Sequence, residues 1–467
     1  MRLRILRILV LAPLFGAGTA SLFGQTASKD PASANPYPST YKPLPRTDTV
    51  ITDATILDGR GNRIEHGSLI LHDGKIVAVG TNLKAPEGAV IIDAKSRWVT
   101  PGIVDPHSHV GDFPMPLTAD DLKVNDVNEA VDPNSAQVWA LHSITAQDPQ
   151  FSRVRAGGVT TLQVLPGSTN LFGGRGVVLK NVPATTVQRM EFPGARASLK
   201  MACGENPKYS YGEKGRSPAS LMGNVAGYRE AWIAAQQYRR KWDEYDQQKD
   251  PKGEPPARDL KLETLAEVLR GDILVHMHCY RADEMAIMLD VAKEFGFKIT
   301  AFHHAVEAYK IADLLAENGV CAAVWPDWWG YKMEAYDAIR ANAGYLEAAG
   351  ACVMLHSDFA VDAERLTVDA ATAMGAARRA GLDIGEELAI KWVTLNPAKA
   401  LGLDDRIGSL EAGKNADVVV WSGNPFSVYT KADQVFIDGA LVYDRHDPHR
   451  RPQSDFEVGQ PASGVRP

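Results

Sequence analysis

The hydrophobic rhythm of the chain changes twice. From about 47 to 100, apolar and polar positions alternate in the short runs TVITDATILDG, GSLILHDGKIVAVG and AVIIDAKSRWVT. A period of two puts one side of an extended chain into a core, and no helical period runs through this stretch. Asp58-Gly59 and Asp73-Gly74 punctuate the runs with residue pairs that accept the left-handed backbone of tight hairpins. The same style returns in ADVVVWSGNP and QVFIDGALVYD, the latter broken by Asp438-Gly439. These ends predict a small composite β-sandwich assembled from both terminal segments, 47–98 and 403–447.

Between 99 and 402 the rhythm is different. Eight apolar runs begin at VTPGIVD (99), GVTTLQVL (158), GVVLK (176), ARASLKMA (195), DILVHMH (272), KITAFHH (298), CAAVWP (321) and ACVMLHSD (351). Helical stretches such as EMAIMLDVAKEF and AYKIADLLAEN lie between them. Alternating β and α segments over about 300 residues predict an α/β fold, a (β/α)8 TIM-like barrel. The excursion at 225–264, with AQQYRRKWDEYDQQK and then DPKGEPP, reads as an exposed helix followed by a loop. PGSTNLFGGRG (166–176) reads as a glycine-rich loop able to close over a substrate. It lacks the spacing of a phosphate loop.

The first residues look like an address. MRLRILR carries three arginines and no acid, and the apolar, small-residue run ILVLAPLFGAGTASLF follows. This predicts a signal peptide over 1–20, with Ala20 and Ala27 both acceptable cleavage positions, and a periplasmic or secreted product without a stable membrane anchor after processing. Residues 21–46 are Pro/Ser-rich and predict a flexible lead-in, and 448–467 a C-terminal tail. A net charge of −7 gives no electrostatic case for nucleic acid, so the expected partner is a small-molecule substrate, with homo-oligomers left open. The four cysteines, Cys203, Cys279, Cys321 and Cys352, lie in apolar runs or beside His278 and are expected as buried free thiols. A Cys321–Cys352 bridge stays open, because both residues begin apolar strands.

Candidate chemistry gathers where barrel active sites lie, at the C-terminal ends of the strands. Seven of the 12 histidines fall there. The first strand ends in Asp105-Pro106-His107-Ser108-His109, whose i, i+2 histidines project to one side and can chelate one ion together. The fifth ends in His276-Met277-His278 and the sixth in His303-His304, an adjacent pair expected to point to opposite sides. The eighth ends in His356-Ser357-Asp358. Several imidazoles with a carboxylate suit zinc, iron, manganese or nickel better than calcium or magnesium.

The runs VTPGIVDPHSH, HMHCYRADE, FHHAVEAYK, WWGYK and HSD, with the tail TLNPAKALGLDDRIGSLEAGKNADVVV, together resemble the amidohydrolase superfamily over residues 47–445. The likeness is strongest to its imidazolonepropionase-like, often secreted members. It implies one or two divalent metals, zinc first, held by His107, His109, His276, His304 and Asp358. In HMHCYRADE it favours His276 over His278 as ligand, leaving His278 to polarise the substrate carbonyl. It also implies a bridging carboxylated lysine, for which Lys200 is the candidate and Glu205 the rival. The expected activity is hydrolysis of an amide, cyclic amide or related C–N bond, with Asp358 as acid and base. Tyr280, Arg281, Trp328 and Lys332 are the candidate substrate-binding residues. A dipeptidase or prolidase-like activity at the same metals is the alternative, kept open by Arg281. A non-enzymatic periplasmic binding protein is the more distant one.

Overall fold

The computed structural model describes residues 36–450, except 114, 116, 117, 119, 121, 122 and 249–252. The signal-peptide stretch and most of the C-terminal tail lie outside these residues. No helix among the described residues is long and apolar enough to cross a membrane.

Among the described residues sixteen strands form two eight-stranded sheets. The first contains β1 (Thr49–Leu57), β2 (Arg63–His72), β3 (Lys75–Gly80), β4 (Val90–Asp93) and β5 (Trp98–Pro101) from the amino-terminal part. Three more, β14 (Val418–Trp421), β15 (Ala432–Ile437) and β16 (Ala440–Asp444), come from the carboxy-terminal part. They join through antiparallel β5–β14 pairing in the order β16-β15-β14-β5-β1-β2-β3, with β4 beside β1. The strands make one continuous hydrogen-bonded sheet, where two sheets of a sandwich were expected. Asp73-Gly74 and Asp438-Gly439 each form the whole connection of a hairpin, with φ of 44° and 76°, and 47° and 75°. Both residues of each pair are left-handed, as this tight hairpin turn requires.

The second sheet is the barrel. It holds β6 (Ile103–Ser108), β7 (Val159–Val164), β8 (Phe172–Lys180), β9 (Ser198–Ala202), β10 (Leu274–Cys279), β11 (Ala301–His304), β12 (Cys321–Val324) and β13 (Val353–Leu355), in sequence order. The ends meet where the Ser357 hydroxyl donates to Asp105 Oδ2 at 2.5 Å and the Asp358 N–H to the His107 carbonyl at 2.9 Å. The eight strands correspond to the eight runs in the sequence. One departs from the parallel pattern: β8 runs antiparallel to both β7 and β9. Only residues 165–171 separate β7 from β8, too few for a parallel crossover, which needs a dozen or more. β8 also absorbs part of the glycine-rich segment expected as a closing loop. Gly174, at φ 120°, lies inside the strand, where a Cβ would fall 2.6 Å from the Val138 carbonyl oxygen.

Two other expectations need correction. The helix Leu221–Asp246 is not simply exposed. Tyr228, Trp232, Ala235, Tyr238 and Trp242 recur at spacings of three and four and are buried, Trp232 packing on Phe172 and Phe297. The lead-in is fixed from Ser39 onward: the Ser39 hydroxyl donates to the Glu191 carbonyl and the Tyr41 hydroxyl to Asp438 Oδ2.

All four cysteines are paired, Cys203 with Cys279 and Cys321 with Cys352, so the free-thiol expectation is overturned. The physical reason is strand adjacency. β9 and β10 are neighbours, and Cys203 N–H donates to the His278 carbonyl, which brings Cys203 beside Cys279 despite 76 residues of separation.

Candidate active site

Toward their C-terminal ends several barrel strands carry histidines on the face opposite the outer core, while Ala301, Cys321, Ala323 and Met354 form a separate buried cluster. On β10, Val275, Met277 and Cys279 join the large core between barrel and helices. His276 and His278 therefore share the opposite face. The helix that follows, Ala282–Phe295, buries Met285, Met288, Val291, Ala292 and Phe295 against that core and ends at left-handed Gly296. The strand is thereby clamped from outside, and its two histidines are held inside.

His107, on β6, is fully buried. Its Nε2 lies 3.3 Å from Asp358 Oδ1, which is also 3.3 Å from His109 Nε2. The His109 ring is oriented by its Nδ1 contact, 2.8 Å, with the Leu165 carbonyl. Beneath them Asp105 accepts from the N–H groups of His107 and Ser357, so one carboxylate ties the first strand to the eighth. Burial pushes the Asp105 carboxyl up to about 7 against those hydrogen bonds.

Lys200 reaches the same centre. Its Nζ is 3.1 Å from His107 Nε2 and donates to the Pro166 carbonyl at 2.9 Å. The side chain is almost wholly buried, and burial brings its ammonium down to about 8. Glu205, the rival, opens the helix Glu205–Gly212 and turns to Lys332 Nζ at 3.4 Å. Of the two, Lys200 is the residue placed against the histidines.

His303 and His304 do not diverge as an adjacent pair in a regular strand would. His304 has φ 69°, a left-handed backbone that ends the alternation and brings both rings into the cluster. Their ring centroids lie 4.7 and 5.1 Å from that of His107. Asp358, at φ 61°, is left-handed too. Each costs on the order of 1–3 kcal/mol, and such strain concentrates at functional sites.

The two histidines of β10 have different surroundings. His276 uses both ring nitrogens: Nδ1 is 2.8 Å from His303 Nε2, and Nε2 is 3.2 Å from the Ala400 carbonyl. His278, nearer the strand end, has neither nitrogen hydrogen-bonded, and its ring lies 4.5 Å from that of His304. Of the two, His278 is the one whose ring nitrogens have no hydrogen-bond partner. His356 was counted among the strand-end histidines but given no role from sequence. It is buried, both its nitrogens lack partners, and its ring stacks on His107 at 5.2 Å. The signal was present in the triplet His356-Ser357-Asp358, whose i, i+2 relation places His356 and Asp358 on one face.

Two donor groups meet at His107, with ligand atoms close enough to share an ion: His107, His304 and His356, and His107, His109 and Asp358. Buried nitrogens without partners occur on His107, His278, His303, His304 and His356. Burial, reinforced by nearby Lys200 and neighbouring imidazoles, holds the pKa of His107, His278, His303 and His304 well below the usual histidine value. Neutral imidazoles with unused lone pairs are costly to bury unless something accepts those lone pairs. A divalent transition metal does so, and this donor set fits one.

The residues expected to meet substrate surround the mouth. Tyr280 is buried, with its ring 5.2 Å from that of His304 and its hydroxyl on that of Tyr331. Lys332 Nζ lies 4.0 Å from the Tyr280 ring centroid and contacts Glu334 at 3.1 Å and Asn206 at 3.2 Å. Trp328 stacks between Trp325 and Phe359. Arg281 is different: both of its hydrogen bonds, each 3.0 Å, go to the Asp283 carboxylate beside it.

The amidohydrolase family matches residues 98–442. An amidohydrolase from Thermotoga maritima superposes with a TM-score of 0.78 at 36% identity, covering 85% of this chain and all of that one. Amidohydrolase tasK of Hapsidospora irregularis is 33% identical over 84% of this chain, which spans only 42% of that protein's length. An imidazolonepropionase from Mesorhizobium japonicum is 25% identical over 79% of this chain and 90% of its own length.

Proposed function

Within the amidohydrolase family, to which this chain belongs, we propose that it is a metal-dependent hydrolase of an amide or cyclic amide C–N bond. The observation that carries the proposal is the cluster of buried, unpartnered imidazole nitrogens around His107, opened to solvent beside the carboxylate of Asp358.

In this reading the cluster would hold two divalent cations, zinc first, drawing on the two donor groups that share His107: His109 and Asp358 in one, His304 and His356 in the other, with His278 a further donor beside His304. Lys200, carboxylated, would add an oxygen donor to the same centre. His276 is a positioning residue that fixes His303. The cations supply Lewis acidity, making water deprotonate near neutral pH and drawing charge from the substrate carbonyl.

The chain's own groups do the rest. Asp358, fixed by its N–H bond to the His107 carbonyl, accepts the proton of the attacking water at its carboxylate. It then gives that proton to the departing nitrogen. Tyr280, Trp328 and Lys332 line the approach and orient the substrate. The dipeptidase alternative ranks second, because a free α-carboxylate calls for an unpaired cation. Arg281 is engaged by Asp283, and Lys332 lies between two glutamates.

The leader sequence supports export to the periplasm or beyond, and two disulfides suit such an oxidising compartment. The test of function is Asp358→Asn, with metal content and amide hydrolysis measured together. The reading expects turnover per cation retained to fall by at least a hundredfold. Full turnover in the variant would refute it.

A further inference from the structure

Two residues of the histidine cluster, His109 and Lys200, are held by neighbouring backbone carbonyls. His109 Nδ1 meets the Leu165 carbonyl at 2.8 Å, and Lys200 Nζ donates to the next one, Pro166, at 2.9 Å. The first contact settles which ring nitrogen is free. With the proton on Nδ1, Nε2 keeps its lone pair toward Asp358, 3.3 Å away. The second contact survives carboxylation. The neutral amine gives up one proton as its nitrogen bonds the carbon of CO2, and the carbamate keeps one N–H for the Pro166 carbonyl.

These carbonyls need support. Proline has no N–H with which to anchor its own backbone, and Pro166 borders a cavity of about 480 Å³. The support comes from residues 127–129, in the connection between β6 and the helix Pro149–Ala156. Gly167 N–H donates to the Val127 carbonyl at 2.7 Å, and Thr169 N–H to Asn128 Oδ1 at 3.1 Å. Asn170 Nδ2 donates to the Glu129 carbonyl at 2.8 Å. The two segments also touch closely. A Cβ on Gly167 would fall 2.3 to 2.6 Å from the Asn128 amide group, which supplies its three nearest atoms.

We propose that Asn128 is a positioning residue for the metal centre. Its side chain backs Gly167 and ties down Thr169, and so sets the two carbonyls that orient His109 and Lys200. The proposal rests on the metal-dependent reading. Partners that orient ligands in this way are worth about tenfold to a hundredfold in metal affinity.

The test measures zinc affinity of the full chain by competition with a chromophoric chelator. In Asn128→Ala the affinity should fall about tenfold to a hundredfold. Asn128→Asp keeps an acceptor for the Thr169 N–H and should stay within about threefold of native. The visible absorption of the cobalt-loaded chain, which reports ligand geometry, should change in Asn128→Ala and not in Asn128→Asp. Asn170→Ala cuts a bond between the same segments without touching Leu165, Pro166 or Gly167. It should lower the melting temperature and leave zinc affinity within about a factor of two. Native affinity in Asn128→Ala would overturn the proposal, as would an equal loss in Asn170→Ala, which would make the effect one of stability. If Asn128→Ala fails to fold, Gly167→Ala displaces the same contact from the other side; weakened zinc binding is expected there, and native affinity would overturn the proposal. A native chain that binds zinc as expected but hydrolyses no amide would count against the hydrolase reading alone. One that binds no zinc would overturn both.

Discussion

Lys180 offers a quantitative test of how the barrel is fastened to the terminal sheet. It is the last residue of β8, and its ammonium is buried 2.9 Å from Asp438 Oδ1 and 3.7 Å from Asp417 Oδ2. Lys180→Met keeps most of the stem's packing against Phe192 but leaves two buried carboxylates without their cation. Removing one member of a buried ion pair costs about 3–5 kcal/mol, against about 0–1 for a surface pair. The loss has a predictable pH dependence. Burial raises Asp417 to about 6, with Lys180 pulling down and Asp438 pushing up. An acid raised above its unfolded value stabilises the fold below that unfolded value and loses the contribution as pH climbs through the folded one. Without Lys180 the folded value rises further, so the penalty grows between pH 5 and pH 8. Urea unfolding of native and variant chains at both pH values measures it. The expected result is a loss of about 3–5 kcal/mol at pH 8 that is clearly smaller at pH 5. A loss under about 1 kcal/mol, or the same loss at both pH values, would refute the reasoning.

Three other expectations bear on the site and its frame. His278→Asn should lower bound metal, whereas His276→Asn should leave metal content within about a fifth of native while lowering thermal stability; elemental analysis and melting curves separate the two. Because burial brings Lys200 to about 8, its neutral, carboxylatable fraction grows as pH rises through that value. Reconstitution of metal-stripped protein with zinc at a fixed concentration of dissolved CO2 should therefore be faster at pH 9 than at pH 7, and Lys200→Ala should abolish the CO2 dependence. Replacing Cys321 and Cys352 by alanine opens a bridge of sequence separation 31, which in the chain-entropy description costs about 4 kcal/mol. Denaturant unfolding under non-reducing conditions should show that loss, and an unchanged midpoint would contradict it.

Much of the frame was legible because it rests on local rules. The turns Asp73-Gly74 and Asp438-Gly439 need left-handed residues and have them, and the eight barrel runs are where apolar residues must be buried on two sides. The direction of β8 was also encoded, in a linker too short for a crossover. Other features depend on relations between distant strands. Nothing near Cys203 in sequence says that Cys279 lies across from it. Periodicity puts His276 and His278 on one face but does not say which is deeper. The hydrogen bond from His276 to the Ala400 carbonyl decides that, and Ala400 is contributed by a helix 124 residues away. His304 defeated the alternation rule because its backbone is left-handed, a conformation disfavoured for a histidine on local grounds and held here by the barrel.

The most direct test of the account is the metal-to-protein ratio of the full chain, measured by elemental analysis after zinc loading and removal of free ion, with His107→Ala beside it. His107 belongs to both donor groups. The account predicts a ratio near two in the native chain and a loss of at least one ion in the variant. A native ratio near zero, or a ratio that His107→Ala leaves unchanged, would contradict it.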